Sequence, residues 1–224
     1  MLDSPFGRVC GSNTQVRAKV IVIDDDAVAA AYVAGVAESS GYDTVRFSSA
    51  EAFLTAVDGS ARGCIVLDLE MDGMHGLELQ ATLVERGICL PVIIVSGHSD
   101  VATAVRAMKQ KAFDFFEKPV DPVKLLLAIE RATALDTSLS VQRQDTAAVL
   151  GRFGTLSPRE KQVMGLVAEG LANKQMAARL GLSEKTIEVH RGNVMRKMQV
   201  ESVAALVRAS LHCEADPTDE AVPH

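Results

Sequence analysis

Strand-like stretches recur five times early in the chain, and four of them stop on a polar or charged residue. Residues 19–23 (Lys-Val-Ile-Val-Ile) run into Asp24-Asp25-Asp26, and residues 64–67 (Cys-Ile-Val-Leu) stop at Asp68. Residues 91–95 stop at Ser96, and residues 112–116 stop at Glu117-Lys118-Pro119. Residues 43–47 alternate in the manner of a strand. Short unbroken apolar runs predict strands of a parallel sheet buried on both faces. The stretches between them favour helix. Residues 27–39 are rich in Ala, with Gly41 as a stop. Ser48-Ser49-Ala50-Glu51 reads as a capping box that opens a second helix. Residues 76–86 form a third, stopped by Gly87, and residues 100–111 a fourth, capped by Ser99. Asp121-Pro122 pairs an N-cap with a first-turn proline and opens a fifth.

Strand and helix in strict alternation predict a parallel sheet with helices on both faces. Right-handed crossovers leave few topologies. The expected fold is α/β, a flavodoxin-like doubly wound five-stranded sheet in the order 2-1-3-4-5. A separate all-α unit of four helices follows. Ser157-Pro158-Arg159-Glu160 is a capping box with proline at the first helical position. That helix stops at Gly170; the next ones span residues 173–180, 184–198 and 201–211, with a turn at Gly181-Leu182-Ser183. Expected boundaries are a loose leader 1–18, a first domain 19–135, a partly helical linker 136–153, a helical domain 154–213 and a disordered tail 214–224.

Composition sharpens this division. The 224 residues are 48% hydrophobic, enough for two packed cores. The net charge of −6 is uneven: residues 1–150 carry −7, residues 151–213 carry +5 and the last eleven carry −4. Only the basic helical part is expected to meet nucleic acid. Cys10, Cys64, Cys89 and Cys213 lack metal-ligand spacing and are expected as reduced, buried thiols. No run approaches the roughly 20 apolar residues of a membrane span. The expected setting is the cytoplasm, without membrane contact.

Strand ends of a parallel sheet lie side by side, and ligands bind at that edge. Asp24, Asp25, Asp68, Ser96 and Lys118 all fall there, on four strands. Crowded carboxylates repel unless a cation joins them, and Mg2+ suits an all-oxygen site completed by waters and phosphate oxygens. A lysine ammonium would hold a phosphoryl group as a point charge, and Ser96 would hydrogen-bond one of its oxygens. A carboxylate is a known covalent acceptor of phosphoryl groups, the role expected of Asp68. Asp26 is expected only to cap the helix behind it.

On these residues the segment 19–135 resembles a response-regulator receiver domain. Val-Ile-Asp24-Asp25-Asp26, Val-Leu-Asp68-Leu, Gly73-Met-His-Gly76, Val95-Ser96-Gly97-His98 and Phe116-Glu-Lys118-Pro119 carry the likeness. The resemblance implies that Asp68 accepts phosphate from a sensor histidine kinase. It implies Mg2+ near the acidic pair Asp24 and Asp25, held by Asp25, Asp68 and the backbone carbonyl of Glu70. Ser96 and Lys118 would contact the phosphoryl group, Ser96 and Phe115 would act as the switch pair, and the Lys118-Pro119 peptide would be cis. The family pattern Met-Pro-Gly-Met reads Met71-Asp72-Gly73-Met74 here, which is expected to loosen the loop and to put a further carboxylate near the metal.

Helix, short turn with Gly, and helix suggest a helix-turn-helix. Met176, Leu180, Leu182 and Ile187 suit its buried positions. Lys174 and the second helix, with Lys185, Thr186, Glu188, His190, Arg191, Arg196 and Lys197, suit promoter double-stranded DNA. Residues 155–211 resemble a LuxR-type DNA-binding domain through Leu156-Ser-Pro-Arg-Glu160, Val167-Ala-Glu-Gly170, Asn173-Lys174, Leu182–Arg191 and Val194–Met198. Glu188-Val-His-Arg191 resembles the FixJ-like version. Together the two likenesses imply a DNA-binding response regulator that dimerises through its receiver when phosphorylated, engages RNA polymerase and activates transcription. It would catalyse nothing beyond its own Mg2+-dependent phosphorylation. The competing readings are a receiver that answers a binding partner without phosphorylation, and a metal-dependent phosphatase like the haloacid dehalogenase group. The second would need Asp at the position of Glu70 and a catalytic lid.

Overall fold

The computed structural model describes residues 18–59, 61–97 and 101–214. The leader up to residue 17, the tail from residue 215 and the expected cap Ser99 lie outside them, as does His98. Five strands, β1 (Lys19–Ile23), β2 (Asp43–Phe47), β3 (Gly63–Leu67), β4 (Val92–Ser96) and β5 (Asp114–Glu117), form one parallel sheet in the order 2-1-3-4-5. Between and after them lie α1 (Ala27–Ser39), α2 (Ala50–Ala56), α3 (Gly76–Glu85), α4 (Val101–Lys109) and α5 (Pro122–Gly154). A strand's side chains point to opposite faces in turn, and both faces here are apolar. Ile21, Ile23, Ile65, Leu67 and Ile94 pack with Phe53, Leu77, Leu83 and Ala107 under α2, α3 and α4. Val20, Val22, Cys64, Val66, Ile93 and Val95 pack with Ala30, Val33, Leu125 and Ile129 under α1 and α5. Every residue of β3 and of β4 is buried, which is why neither sequence alternates.

Local chemistry departs from the sequence expectation at several points. The N-cap of α2 is Ser49, whose hydroxyl accepts from the Ala52 N–H at 3.2 Å. Ser48 and Glu51 therefore make no capping box; the Glu51 carboxylate takes its own N–H and the Ser49 hydroxyl and also reaches beyond the helix to Met74. Strand β5 begins at Asp114 rather than 112, because Lys111 takes a left-handed φ of 68° and turns the chain late. Cys64 is buried, but Cys89 is exposed in the turn after α3. Asp121 caps α5 as expected, accepting from the N–H of Val123 at 2.8 Å.

Helix α5 does not weaken at residue 135: it is continuous for 33 residues. Asp136 and Ser140 extend its buried face, in step with Leu125, Ile129 and Ala132. Asp136 accepts the N–H of Gly63 at 2.8 Å, and a buried carboxylate so bonded is tolerated in a core. Gly63 is required there: its φ is +123°, and a Cβ would stand 1.8 Å from the Lys19 carbonyl oxygen. The first compact unit ends at Ser140.

The second unit contains α6 (Pro158–Ala168), α7 (Asn173–Leu180), α8 (Glu184–Met198) and α9 (Val203–Glu214). Val163, Met164, Met176, Ile187, Val194, Met198 and Leu206 form its core, with Val149 and Phe153 from the end of α5 packed against it. The capping box of α6 is complete: Glu160 N–H reaches Ser157 Oγ and the Ser157 N–H reaches Glu160 Oε2. Gly181 ends α7 at φ 66°, and Ser183 caps α8, so α7, turn and α8 form a helix-turn-helix.

Candidate functional site

The sheet register brings the acidic residues together. Ile23 pairs with Leu67, so the next residues, Asp24 and Asp68, leave adjacent strands side by side. Ligand oxygens of Asp24, Asp25 and Asp68 all lie within 4.8 Å of one another. Asp24 and Asp68 are buried, and Asp25 is exposed. From the end of β5, Lys118 Nζ stands 2.8 Å from both Asp24 Oδ2 and Asp68 Oδ2. Ser96 closes β4, the neighbour of β3, and is wholly buried. Phe115 is half-buried against the core shared with α3 and α4. The Lys118-Pro119 peptide is cis.

The charges in this cleft are not at ease. Burial raises the Asp24 carboxyl above its ordinary value, against hydrogen bonds from Lys118 and the Asp26 N–H that favour the carboxylate. Burial also works against the Lys118 ammonium, but its bonds to Asp24 and Asp68 prevail and hold it above the ordinary value. Three carboxylates face one ammonium, and all donors are hard oxygens. The set fits Mg2+, which accepts one or two carboxylates and keeps several waters.

The loop after β3 is fastened from outside. The Asp72 N–H donates to Asp25 Oδ2 at 2.9 Å, and the Met74 N–H donates to Glu51 Oε1 at 3.0 Å. A proline at position 72 would lack the first donor. The sequence predicts that losing the proline loosens this loop, whereas the freed N–H of Asp72 fastens it to Asp25. Glu51 escapes the sequence, because its signal, a Glu three residues after Ser48, belongs equally to a capping box. Asp26 caps α1 as expected, accepting from the Val28 N–H at 2.8 Å.

In the helical unit the candidate contacts divide. Lys174, Lys185, Glu188 and Arg196 are exposed, and Thr186 and His190 are half-buried. Thr186 donates its N–H to Ser183 Oγ at 3.1 Å and so helps start α8. Arg191 bonds the side-chain oxygen of Asn173 at the start of α7. Lys197 is turned inward: its ammonium lies 2.6 Å from buried Glu160 and 3.2 Å from the Thr155 carbonyl. It cements α8 to α6 rather than reaching outward. Val189, on the same helix four residues after Lys185, is 58% exposed.

Comparisons with known proteins agree with this division. Residues 20–130 match the model of the response regulator receiver domain. Residues 154–210 match that of the bacterial regulatory proteins of the luxR family. The chain is 43% identical over 204 residues to the transcriptional regulatory protein FixJ of Azorhizobium caulinodans, covering 91% of this chain and 97% of that one. It is 40% identical to nodulation protein W of Bradyrhizobium diazoefficiens, covering 89% of each. Among solved structures, the response regulator StyR matches with a TM-score of 0.79 at 36% identity, over 87% of this chain and 98% of that one. Full-length FixJ from B. japonicum matches with a TM-score of 0.53 at 38% identity, over 88% of this chain and 97% of that one.

Proposed function

The chain belongs to the FixJ-like response regulators, transcription regulators that join a receiver to a LuxR-type DNA-binding domain, and from that membership we propose that Asp68 is its phosphoacceptor. The supporting observation is the convergence of Asp24, Asp25 and Lys118 on the Asp68 carboxylate at the C-terminal edge of the sheet. In the step proposed, an Asp68 oxygen forms a bond to phosphorus while the bond from phosphorus to a kinase histidine nitrogen breaks. The electron pair of that bond stays on the nitrogen. Lys118, bonded to Asp68 already, stays beside the arriving oxygens as a fixed positive charge. Mg2+ held by Asp25, Asp68 and the Glu70 carbonyl would supply further positive charge to the transferring group.

Phosphate on Asp68 would draw Ser96 and Phe115 toward the site and shift the receiver to a form that pairs with a second copy. The face flanking edge strand β5 suits such pairing: Val105 and Met108 of α4 and Val123 and Leu127 of α5 are large apolar side chains exposed to water. Two recognition helices on related half-sites would then bind promoter DNA, through Lys185, Glu188 and Arg196 on the exposed side of α8 and Lys174 on α7. Engagement of RNA polymerase and a cytoplasmic setting complete the proposal. No described helix is long and apolar enough to cross a membrane.

The test is phosphodonor labelling of the full chain with and without Mg2+, followed by gel filtration and promoter binding. The wild type is expected to take one acid-stable, base-labile phosphoryl group, dimerise and bind more tightly. Asp68→Ala is expected to do none of these. A variant that still labels and dimerises overturns the assignment.

A further inference from the structure

We infer that Glu51 is a positioning residue for the acidic site, acting through the backbone of the loop after Asp68; the inference rests on the phosphoacceptor reading above. Glu51 lies on the first turn of α2, and the ligand cluster consists of Asp24, Asp25 and Asp68 without it. Its Oε1 accepts the Met74 N–H at 3.0 Å, at the far end of the segment that carries Glu70 and Asp72. The contact is close. Gly73 has φ +90°, and a Cβ there would stand 3.0 Å from the same Oε1. The carboxylate is itself held in place. Its own backbone N–H, the Ser49 hydroxyl and the Met74 N–H keep it below the ordinary carboxylate range.

The other carboxylates gripping this loop belong to the cluster itself: Asp25 accepts the Asp72 N–H at 2.9 Å and Asp68 accepts the Glu70 N–H at 3.2 Å. Asp25 would therefore have two duties, holding the loop and holding a cation. An N–H and a cation draw on the same carboxylate charge. A loop fastened only by the carboxylates of the cluster, Asp25 and Asp68, would shift whenever they turned toward a cation. Glu51 removes the conflict by fixing Met74 from a helix outside the cluster. The Glu70 carbonyl then stays in place while Asp25 adjusts. This is the work of an outer-shell partner, which orients ligands without touching the metal.

The experiment compares the full-length wild type with Glu51→Ala and Glu51→Gln. Mg2+ binding is followed by calorimetry without phosphodonor, and hydrogen exchange of the 69–75 peptide by mass spectrometry. Labelling from acetyl phosphate is split into its Mg2+ half-saturation and its limiting rate. Glu51→Ala is expected to speed exchange in that peptide and to raise the Mg2+ dissociation constant about tenfold, the low end for outer-shell partners. The limiting labelling rate should change little. Glu51→Gln, whose amide oxygen still accepts the Met74 N–H, is expected to restore most of both. Unchanged exchange and Mg2+ affinity in Glu51→Ala overturn the inference. Equal loss in Glu51→Gln overturns it too, since charge and not the hydrogen bond would then matter. If the wild type takes no label, the phosphoacceptor reading fails, while exchange and calorimetry still decide the role of Glu51.

Discussion

Lys197, on α8, gives its ammonium to Glu160 of α6 at 2.6 Å, beneath a surface that leaves the Glu160 side chain 6% exposed. The same carboxylate closes the capping box of α6 through the Ser157 N–H. One buried anion thus joins the start of the first helix of this unit to the last turn of the helix proposed to read DNA. A pair of this kind is costly to break on one side only, because the partner stays behind unpaired.

The bond from Lys197, with the Ser157 N–H, holds the Glu160 carboxyl down to about 2, against 4.5 for a free glutamate. A depressed folded value means that unfolded chains bind the proton more readily. The stabilisation is complete above about pH 4.5 and is lost as pH falls toward about 2. Chemical denaturation followed by circular dichroism should show this slope in the wild type and a weaker one in Lys197→Ala. At neutral pH, Lys197→Ala should lose about 1–3 kcal/mol.

Asp24 has the opposite sign. Burial raises its carboxyl above 3.8, so the folded chain holds a proton that the unfolded chain has released. Stability therefore falls as pH rises from 3.8 through the raised value, and at neutral pH the Asp24 charge is a net strain on the fold. Asp24→Asn should stabilise the first unit by about 0.5–2 kcal/mol in urea denaturation, as relief of functional-site strain commonly does. The same variant should bind Mg2+ more weakly by calorimetry.

Gly76 opens α3 against the site. A Cβ there would lie 2.5 Å from the Asp68 carbonyl oxygen and 2.8 Å from Leu69 Cα, both backbone atoms that cannot swing aside. Gly76→Ala should lower the stability of the first unit by about 1–3 kcal/mol. It should also slow labelling of Asp68, measured against a wild-type control at equal folded fraction.

Lys185 and Lys197 should separate in DNA binding. Lys185 is exposed near the start of α8, whereas Lys197 is engaged with Glu160. Loss of a lysine that neutralises a phosphate lowers the slope of log affinity against log salt by about 1. Lys185→Ala should show that loss in fluorescence anisotropy on promoter DNA, with an unchanged melting temperature. Lys197→Ala should keep the wild-type slope and melt earlier.

Much of this protein is legible along the chain. Parallel strands buried on both faces must be apolar for their whole length, so β3 and β4 announce themselves and end visibly at Asp68 and Ser96. Helix caps are just as local: Asp26, Asp121 and Ser157 read correctly because each bonds within three residues of itself. The continuation of α5 was hidden. Asp136 and Ser140 read as linker residues, and the Gly63 N–H, 73 positions away, is what helps make a carboxylate acceptable on that face.

What the chain alone decided, then, is which segments become strands and helices, their sheet order and the residues arriving at the sheet's carboxyl edge. These follow from periodicity, capping and chain connectivity, which act over a few residues. Folding in three dimensions decided which charge each ionised side chain meets. It sent Glu51 across to Met74 as well as to its own helix start, Lys197 to Glu160 rather than to water, and Lys118 between two aspartates. A hydrogen bond is won over about 3 Å in space, and separation along the chain says nothing about that distance.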